Sequence, residues 1–396
     1  MLSLGVSSDV EEPRDPPSHP VRVTLIGPAF PWRGGIPLLT NELAHRLAAC
    51  GHTVLVRTWT RQGPAGLLPA ELHPLETPEA EAYPTVREPL SWRNPLHWVR
   101  TGRRAAAASE VVVLIYYVPF QAPALAAIAR AARREARVVV ICANAVPHEP
   151  RPGDRLLMSW LMRSADAILV HTEAERDALR RLTDRPAAVA ALPPHLPATA
   201  RSYVGPDVPP RRRLLFFGKV RPYKGVDVLV RALALLPDVE LSIVGEFYEN
   251  RARLDALVDE LGLAERVHVT PDYLPADRIP ELFAGFDALV LPYRTATASQ
   301  LVALAHWHGL PVVATRVGNF PETVRDSVDG LLCTPGDVLD LAGALRSLYE
   351  PGRLRELRAG IRTGDAEGIW RTYIAALWNL AGVDARRARS RTESTG

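Results

Sequence analysis

The chain concentrates its most specific chemistry in one short loop. From Leu214 to Gly225 it reads LLFFGKVRPYKG, so that Lys219, Arg221 and Lys224 fall within six positions. Of the 47 Lys and Arg residues among 396, only two are lysine, and they are Lys219 and Lys224. A composition rich in Ala, Arg, Pro, Leu and Val is that of a GC-rich gene, which replaces Lys by Arg wherever a generic charge suffices. A compact ammonium on a flexible stem meets a phosphate as a point charge, which a planar guanidinium does differently. The pair points to a bound anion of the phosphate type. A solvated basic loop is the plainer alternative.

The elements around the loop place it. Leu214 to Phe217 is an apolar run of buried-strand length, and VDVLVRALALL beyond the loop has helical periodicity. Open α/β sheets bind ligands at such strand-to-helix turns. The alternation continues through VELSIVGEF, NRARLDALVDELGL, RVHVTPDYL, ADRIPELFAGF, DALVLPY and LPVVATRVG. In RTATASQ the hydroxyls of Thr295, Thr297 and Ser299 cluster before a helix predicted from about Ser299. The free N–H groups and positive end of that helix favour an anion; simple N-capping accounts for one hydroxyl of the three. The loop VTPDYL offers Tyr273 to a flat base, whereas Glu322, in the first turn of a helix, is explained by the helix dipole alone.

A similar alternation fills the first half. VRVTLIG is a strand, PAFPWRGG a turn-rich loop and IPLLTNELAHRLAACG a helix, so Gly34 and Gly35 allow close backbone approach between strand and helix. RVVVICANAVPHE brings Asn144, His148 and Glu149 to a strand's carboxyl end. The segment from about Arg61 to Pro95 is irregular and proline-rich. In LSWRNPLHWVRTGRR, Trp92 and Trp98 interleave with Arg93, Arg100, Arg103 and Arg104. That stretch suits weak peripheral contact with an anionic membrane, or else tryptophans packed on the domain with arginines outside.

The totals narrow the class. A hydrophobic content of 47% with 23% charged residues is that of a globular protein, and 396 residues suggest two domains. A net charge of +3 is not the footprint of a dedicated nucleic-acid binder. Three scattered cysteines fit a reducing cytosol, and no spacing predicts a metal site. The expected localisation is cytoplasmic, at most peripheral at the inner face of the membrane. The expected organisation is a disordered segment without a signal-peptide pattern (1–20), a first α/β domain (21–200), a linker (201–213), a second α/β domain (214–365), a C-terminal helix placed to pack back on the first domain (366–382), and a disordered tail (383–396).

The stretches FPWRGGIPLLTNELAHRLAACGHTV, CANAVPHEPRPGDRLL, FFGKVRPYKG and LPYRTATASQLVALAHWHGLPVVATRVGNFPE resemble the retaining family 4 GT-B glycosyltransferases, over about residues 21–380. The resemblance implies an α/β fold of two doubly wound Rossmann-like domains facing across a cleft, the first (21–200) binding the acceptor and the second (214–365) the nucleotide-sugar. It places the diphosphate-binding pair on Lys219 and Lys224, with Arg221, Gly35, Thr297 and Ser299 beside them. The nucleoside and sugar pocket falls on Thr270, Asp272, Tyr273, Gln300 and Gly245. The acceptor side falls on Gly34, Asn144, His148 and Glu149. Lys219, Lys224 and His148 carry the catalytic roles. Metal and cofactor are not required, since two cations and a helix N-terminus take the charge of the departing nucleoside diphosphate. The family's E-x7-E carboxylates fall on Ala296 and Leu304, and its usual loop histidine on Ala143.

The implied reaction is transfer of a sugar, with retention, from a UDP- or GDP-sugar to a saccharide, lipid-linked or natural-product acceptor. The alternative is a catalytically weak GT-B subunit that binds nucleotide-sugar and supports a partner enzyme. A GT-B epimerase is a third possibility; it would need acid/base groups of which only His148 and Glu149 are in view.

Overall fold

The computed structural model describes residues 17, 19–63, 75–78, 80–87, 90–145, 147, 149–195 and 203–382. Two all-parallel sheets divide them. The first holds β1 (Arg22–Ile26), β2 (Thr53–Thr58), β3 (Thr85–Arg87), β4 (Val111–Tyr116), β5 (Arg137–Cys142), β6 (Ala167–Val170) and β7 (Ala187–Val189), in spatial order 3-2-1-4-5-6-7. The second holds β8 (Arg213–Phe217), β9 (Glu240–Val244), β10 (Val267–Thr270), β11 (Ala288–Leu291), β12 (Val312–Thr315) and β13 (Gly330–Cys333), in order 10-9-8-11-12-13. The central strands are apolar on both faces because helices cover both; β4 is buried at every position.

In the first domain the helices are α1 (Gly35–Ala49), α2 (Pro95–Ala108), α3 (Ala122–Ala132), α4 (Asp154–Ser164) and α5 (Glu173–Arg180). In the second they are α6 (Val226–Leu233), α7 (Arg251–Glu260), α8 (Ile279–Ala284), α9 (Leu301–Trp307), α10 (Phe320–Thr323), α11 (Val338–Leu348) and α12 (Arg353–Gly360). A last helix, α13 (Ala366–Ala381), follows the second domain in sequence. It buries Trp370, Tyr373, Leu377 and Trp378 against Val23, Leu39, Val139 and Ile141 of the first. The fold is therefore two Rossmann-like domains.

Strand order reverses at β1/β4 in one sheet and at β8/β11 in the other. Ligands bind such sheets where the order reverses, beyond the carboxyl ends of the strands. The loop after β1 and the loop after β8 both occupy that position. Three short strands, β3, β7 and β13, escape the sequence reading. β3 falls in the segment read as irregular, and β7 in one read as a closing loop. β3 and β7, with three residues each, are too short to show a periodicity; β13 has four, as many as β11 and β12, so its length does not explain the omission.

A buried ion pair fastens the base of the second domain. Asp287 and Arg358 are almost completely shielded from solvent, and Arg358 Nη2 donates to Asp287 Oδ1 at 3.0 Å. Asp287 Oδ2 accepts the amide of Arg211 at 2.8 Å and the Tyr349 hydroxyl at 3.3 Å. Arg358 Nη1 donates to the Val208 carbonyl at 2.6 Å. Removing one member leaves a buried charge uncompensated. Asp287→Ala is expected to destabilise the second domain by about 3–5 kcal/mol, read as a lower urea midpoint for its transition. Asp287→Asn should cost less, because it keeps the acceptor for the Arg211 amide.

Candidate active site

The loop after β8 is shaped by glycines that nothing larger replaces. Gly225 has φ +66°, and a Cβ there would stand 2.1 Å from the Pro292 carbonyl oxygen. Gly245, at the end of β9, has φ +144° and would meet the Gly218 carbonyl oxygen at 2.3 Å. Close packing on its neighbours sets the loop's path and brings Lys219, Arg221 and Lys224 to the mouth of the second sheet. Arg221 lies over the Tyr248 ring at 4.3 Å, and the Lys219 ammonium stands 5.2 Å from the same centroid.

Lys224 is the tightest constraint. Its ammonium sits 5.0 Å from the Tyr293 centroid, and among the described residues no carboxylate pairs with it. Burial, reinforced by the charges of Lys219 and Arg221, pushes it down to about 7. A lysine brought close to losing its proton at neutral pH gains by receiving an anion.

The two mouths face each other and enclose two joined chambers of about 380 and 390 Å³. Gly34, Gly35, Ile36, Asn144, Lys219 and Tyr223 line both, and so mark their junction. Gly34 has φ +111°, and a Cβ there would come within 3.8 Å of Lys219 Nζ. Gln62, Tyr117, Phe120, Glu149 and Arg221 line only the first chamber. Lys224, Gly245, Tyr273, Thr297, Ser299 and Gln300 line only the second.

Two of the residues expected in the nucleoside pocket lie elsewhere. Thr270 and Asp272 are exposed and line neither chamber. Thr270 ends the edge strand β10, and its carbonyl is occupied by the Gly245 amide at 2.9 Å. His148 lies outside the described residues. The helix expected from about Ser299 begins at Leu301, because Ser299 is used ahead of it. The Ser299 amide donates to Asn319 Oδ1 at 3.1 Å, and its hydroxyl accepts the Leu301 amide at 3.3 Å. The Thr297 hydroxyl donates to Asn144 Oδ1 at 3.0 Å, across the cleft. Ala296 lines the second chamber, while Leu304 is buried in the core. Trp92 and Trp98 pack against the first domain's core, with Arg93, Arg100, Arg103 and Arg104 exposed.

The sequence reading misses several cleft residues. Arg33 pairs with Glu246 of the opposite domain and lies over the Tyr273 ring at 5.0 Å. His171 and His195 line the second chamber. His171 directly follows β6, a position at which it could have been noticed; His195, in the run LPPHLP, carries no such signal.

Comparison with known proteins matches each half separately. Residues 34–195 match the model described as "Glycosyl transferase 4-like domain", and residues 211–351 match "Glycosyl transferases group 1". The chain belongs to the family 4-like GT-B glycosyltransferases. Among curated members, a D-inositol 3-phosphate glycosyltransferase of Mycobacterium sp. (strain KMS) is 32% identical over 212 residues, covering 50% of this chain and 48% of that one. The corresponding protein of Acidothermus cellulolyticus is 30% identical, covering 61% and 60%. This GT-B chain thus spans about half the length of the first curated relatives it matches. Its fold is shared with sucrose-phosphate synthase from Thermosynechococcus elongatus (TM-score 0.67, 18% identity, 95% and 100% covered). It is also shared with Anabaena HepE in complex with UDP-glucose (TM-score 0.65, 18% identity, 92% and 99% covered).

In this GT-B cleft, contacts between unlike charges hold the domains together. Besides Arg33 and Glu246, Arg221 and Glu149 approach to 3.7 Å. Partly buried pairs of this kind are screened less by salt than exposed ones. The double variant Glu149→Gln, Glu246→Gln is expected to open the cleft, raising the radius of gyration measured by small-angle X-ray scattering. An unchanged value would mean that the charges do not hold the two faces together.

Proposed function

We propose that the chain transfers a sugar from a nucleotide-sugar donor in the second chamber to an acceptor hydroxyl in the first. The observation that carries this reading is the lysine pair: Lys219 at the junction of the chambers and Lys224, with no carboxylate partner among the described residues, in the second. Both are positioned at the strand-order reversal, where a diphosphate is expected. Its two phosphates would lie between the ammoniums, and each charge-assisted contact is worth about 1.5–3 kcal/mol. These contacts strengthen as the leaving group gains charge, which makes them catalytic as well as binding interactions.

Tyr273, with Arg33 over its ring, offers a surface for the base. The HepE complex supports UDP as the first nucleotide to test. Gln300 and Ala296 lie where the donor sugar would reach. With no carboxylate at 296 or 304, retention would proceed by same-face substitution, with the donor phosphate drawing the acceptor proton. We take the reaction to be independent of metal, the two lysines carrying the charge a metal would otherwise carry. The curated relatives' names, which specify D-inositol 3-phosphate, support a phosphorylated polyol as the first acceptor to test. No observation favours a silent partner subunit, which would have no use for a desolvated lysine in the cleft.

A panel of UDP, GDP, dTDP and ADP, titrated with and without EDTA, tests the donor half. One nucleotide should bind in both conditions, and Lys219→Ala should weaken it by about tenfold or more, equivalent to one lost charged contact. The sign of the pH dependence follows from Lys224. Free, it loses its proton near pH 7; bound to a diphosphate, it keeps it. Binding above pH 7 should therefore take up a proton, and affinity should fall as pH rises from 7 to 9. Titration calorimetry in buffers of different ionisation enthalpy reads that proton directly. No uptake would separate Lys224 from the phosphates.

Weak, peripheral membrane contact is proposed for α2, which exposes Leu96 and Val99 beside Arg93, Arg100, Arg103 and Arg104. Binding to vesicles containing anionic lipid should appear at low salt and disappear at about 0.5 M, where the Debye length has shrunk to a few ångströms. A protein that never co-sediments would remove the contact.

A further inference from the structure

The first domain presents no titratable group to the second chamber from residues 143 and 144, which are Ala and Asn. Two imidazoles stand nearby in its wall, His171 and His195, both more than nine-tenths buried. They are placed differently. His171 Nε2 lies 3.2 Å from the Tyr373 hydroxyl, which ties that ring to α13 and the core. His195 Nδ1 lies 2.7 Å from the Pro193 carbonyl. A carbonyl can only accept, so Nδ1 carries the ring proton and Nε2 holds a lone pair. That nitrogen faces the Gly34–Gly35 turn, 3.5 Å from where a Cβ on Gly35 would stand. The junction of the two chambers is there.

We infer that His195 accepts, through Nε2, a hydrogen bond from a hydroxyl of the transferred sugar and so helps select the sugar. This rests on the donor reading of the second chamber given above. His195 lines that chamber and not the first, which favours the donor sugar over the acceptor. Gln300, which lies where the donor sugar would reach, lines the same chamber and donates to the Leu192 carbonyl three residues before His195. A neutral lone pair suits a hydroxyl and is useless to a diphosphate, which is itself an acceptor. Burial pushes the ring down to about 4, so the nitrogen remains an acceptor at ordinary pH.

The loop that holds His195 is fixed from both sides. Gln300 Nε2 donates to the Leu192 carbonyl at 3.0 Å, and Trp370 Nε1 donates to the Pro194 carbonyl at 2.8 Å. A sugar lacking the matching hydroxyl would leave a buried lone pair unpaired, which is how a built polar site rejects a deoxygenated analogue.

The test titrates UDP and UDP-glucose into wild type, His195→Leu and His195→Gln. His195→Leu should leave UDP affinity within about twofold and weaken UDP-glucose about tenfold, the scale of one lost hydrogen bond to a buried group. His195→Gln, whose amide oxygen can accept, should recover part of the loss. UDP-glucose deoxygenated singly at C2, C3, C4 or C6 then identifies the partner. One analogue should bind wild type about tenfold more weakly and be indifferent to His195→Leu, the coupling expected of a direct contact. Equal losses for UDP and UDP-glucose, no loss, or no coupled analogue would overturn the sugar contact and leave the diphosphate site intact. If wild type binds neither UDP nor UDP-glucose, nor GDP nor GDP-mannose run in parallel, the donor reading has failed and this inference falls with it. Should His195→Leu not fold, His195→Asn and the analogue series carry the same outcomes.

Discussion

A buried cation with no counter-charge among the described residues is costly, and much of the cleft is arranged around that cost. Lys224 has an aromatic ring under it and two like charges on its own loop. Pairing with a protein carboxylate would have stabilised it, and would also have occupied the place of a ligand. Carboxylates do stand nearby, but they pair with arginines: Glu149 with Arg221, Glu246 with Arg33, Asp227 with Arg294. The planar, permanently charged groups hold the domains and loops, while Lys224 lines the second chamber. This division of labour gives the composition its physical meaning.

The glycines serve the same end. Gly225 and Gly245 let backbone approach backbone so closely that the loop after β8 is fixed before a ligand arrives. A pre-set loop binds without the entropy loss of ordering itself. Across the cleft, Gly34 holds a φ of +111° that favours glycine and lines the junction with Lys219.

Much of this was legible in the chain. The apolar run before Gly218, the scarcity of lysine and the alternation of strand and helix were sufficient to locate the loop after β8 and the two parallel sheets. The shortest strands were not legible: β3 and β7 have three residues each, too few for a pattern, and pairing with a neighbour alone defines them. Thr270 and Asp272 were placed by the position of their loop, but Thr270 ends an edge strand and both residues are exposed to solvent. The hydroxyls of Thr297 and Ser299 looked equivalent in sequence, yet one crosses the cleft to Asn144 and the other receives the first amide of α9. Arg33 acts across the cleft and had no local signal because its partner Glu246 is far away in sequence, whereas His195 sits in a proline-rich run that carries no pattern.

The path of α13 has a mechanical consequence. The chain leaves the first domain before Arg213, builds the second, and returns to pack Trp370 and Trp378 into the first domain's core. The two domains are thus joined at two covalent points, which together define an axis. Rotation about that axis opens or shuts the cleft, whereas twisting or sliding would strain both connections at once. Movement is thereby channelled into one hinge-like coordinate, along which the lysine loop and the Gly34–Gly35 turn approach or separate. The Trp370 indole donates to the carbonyl beside His195, so the returning helix also anchors the wall that such a hinge would swing against.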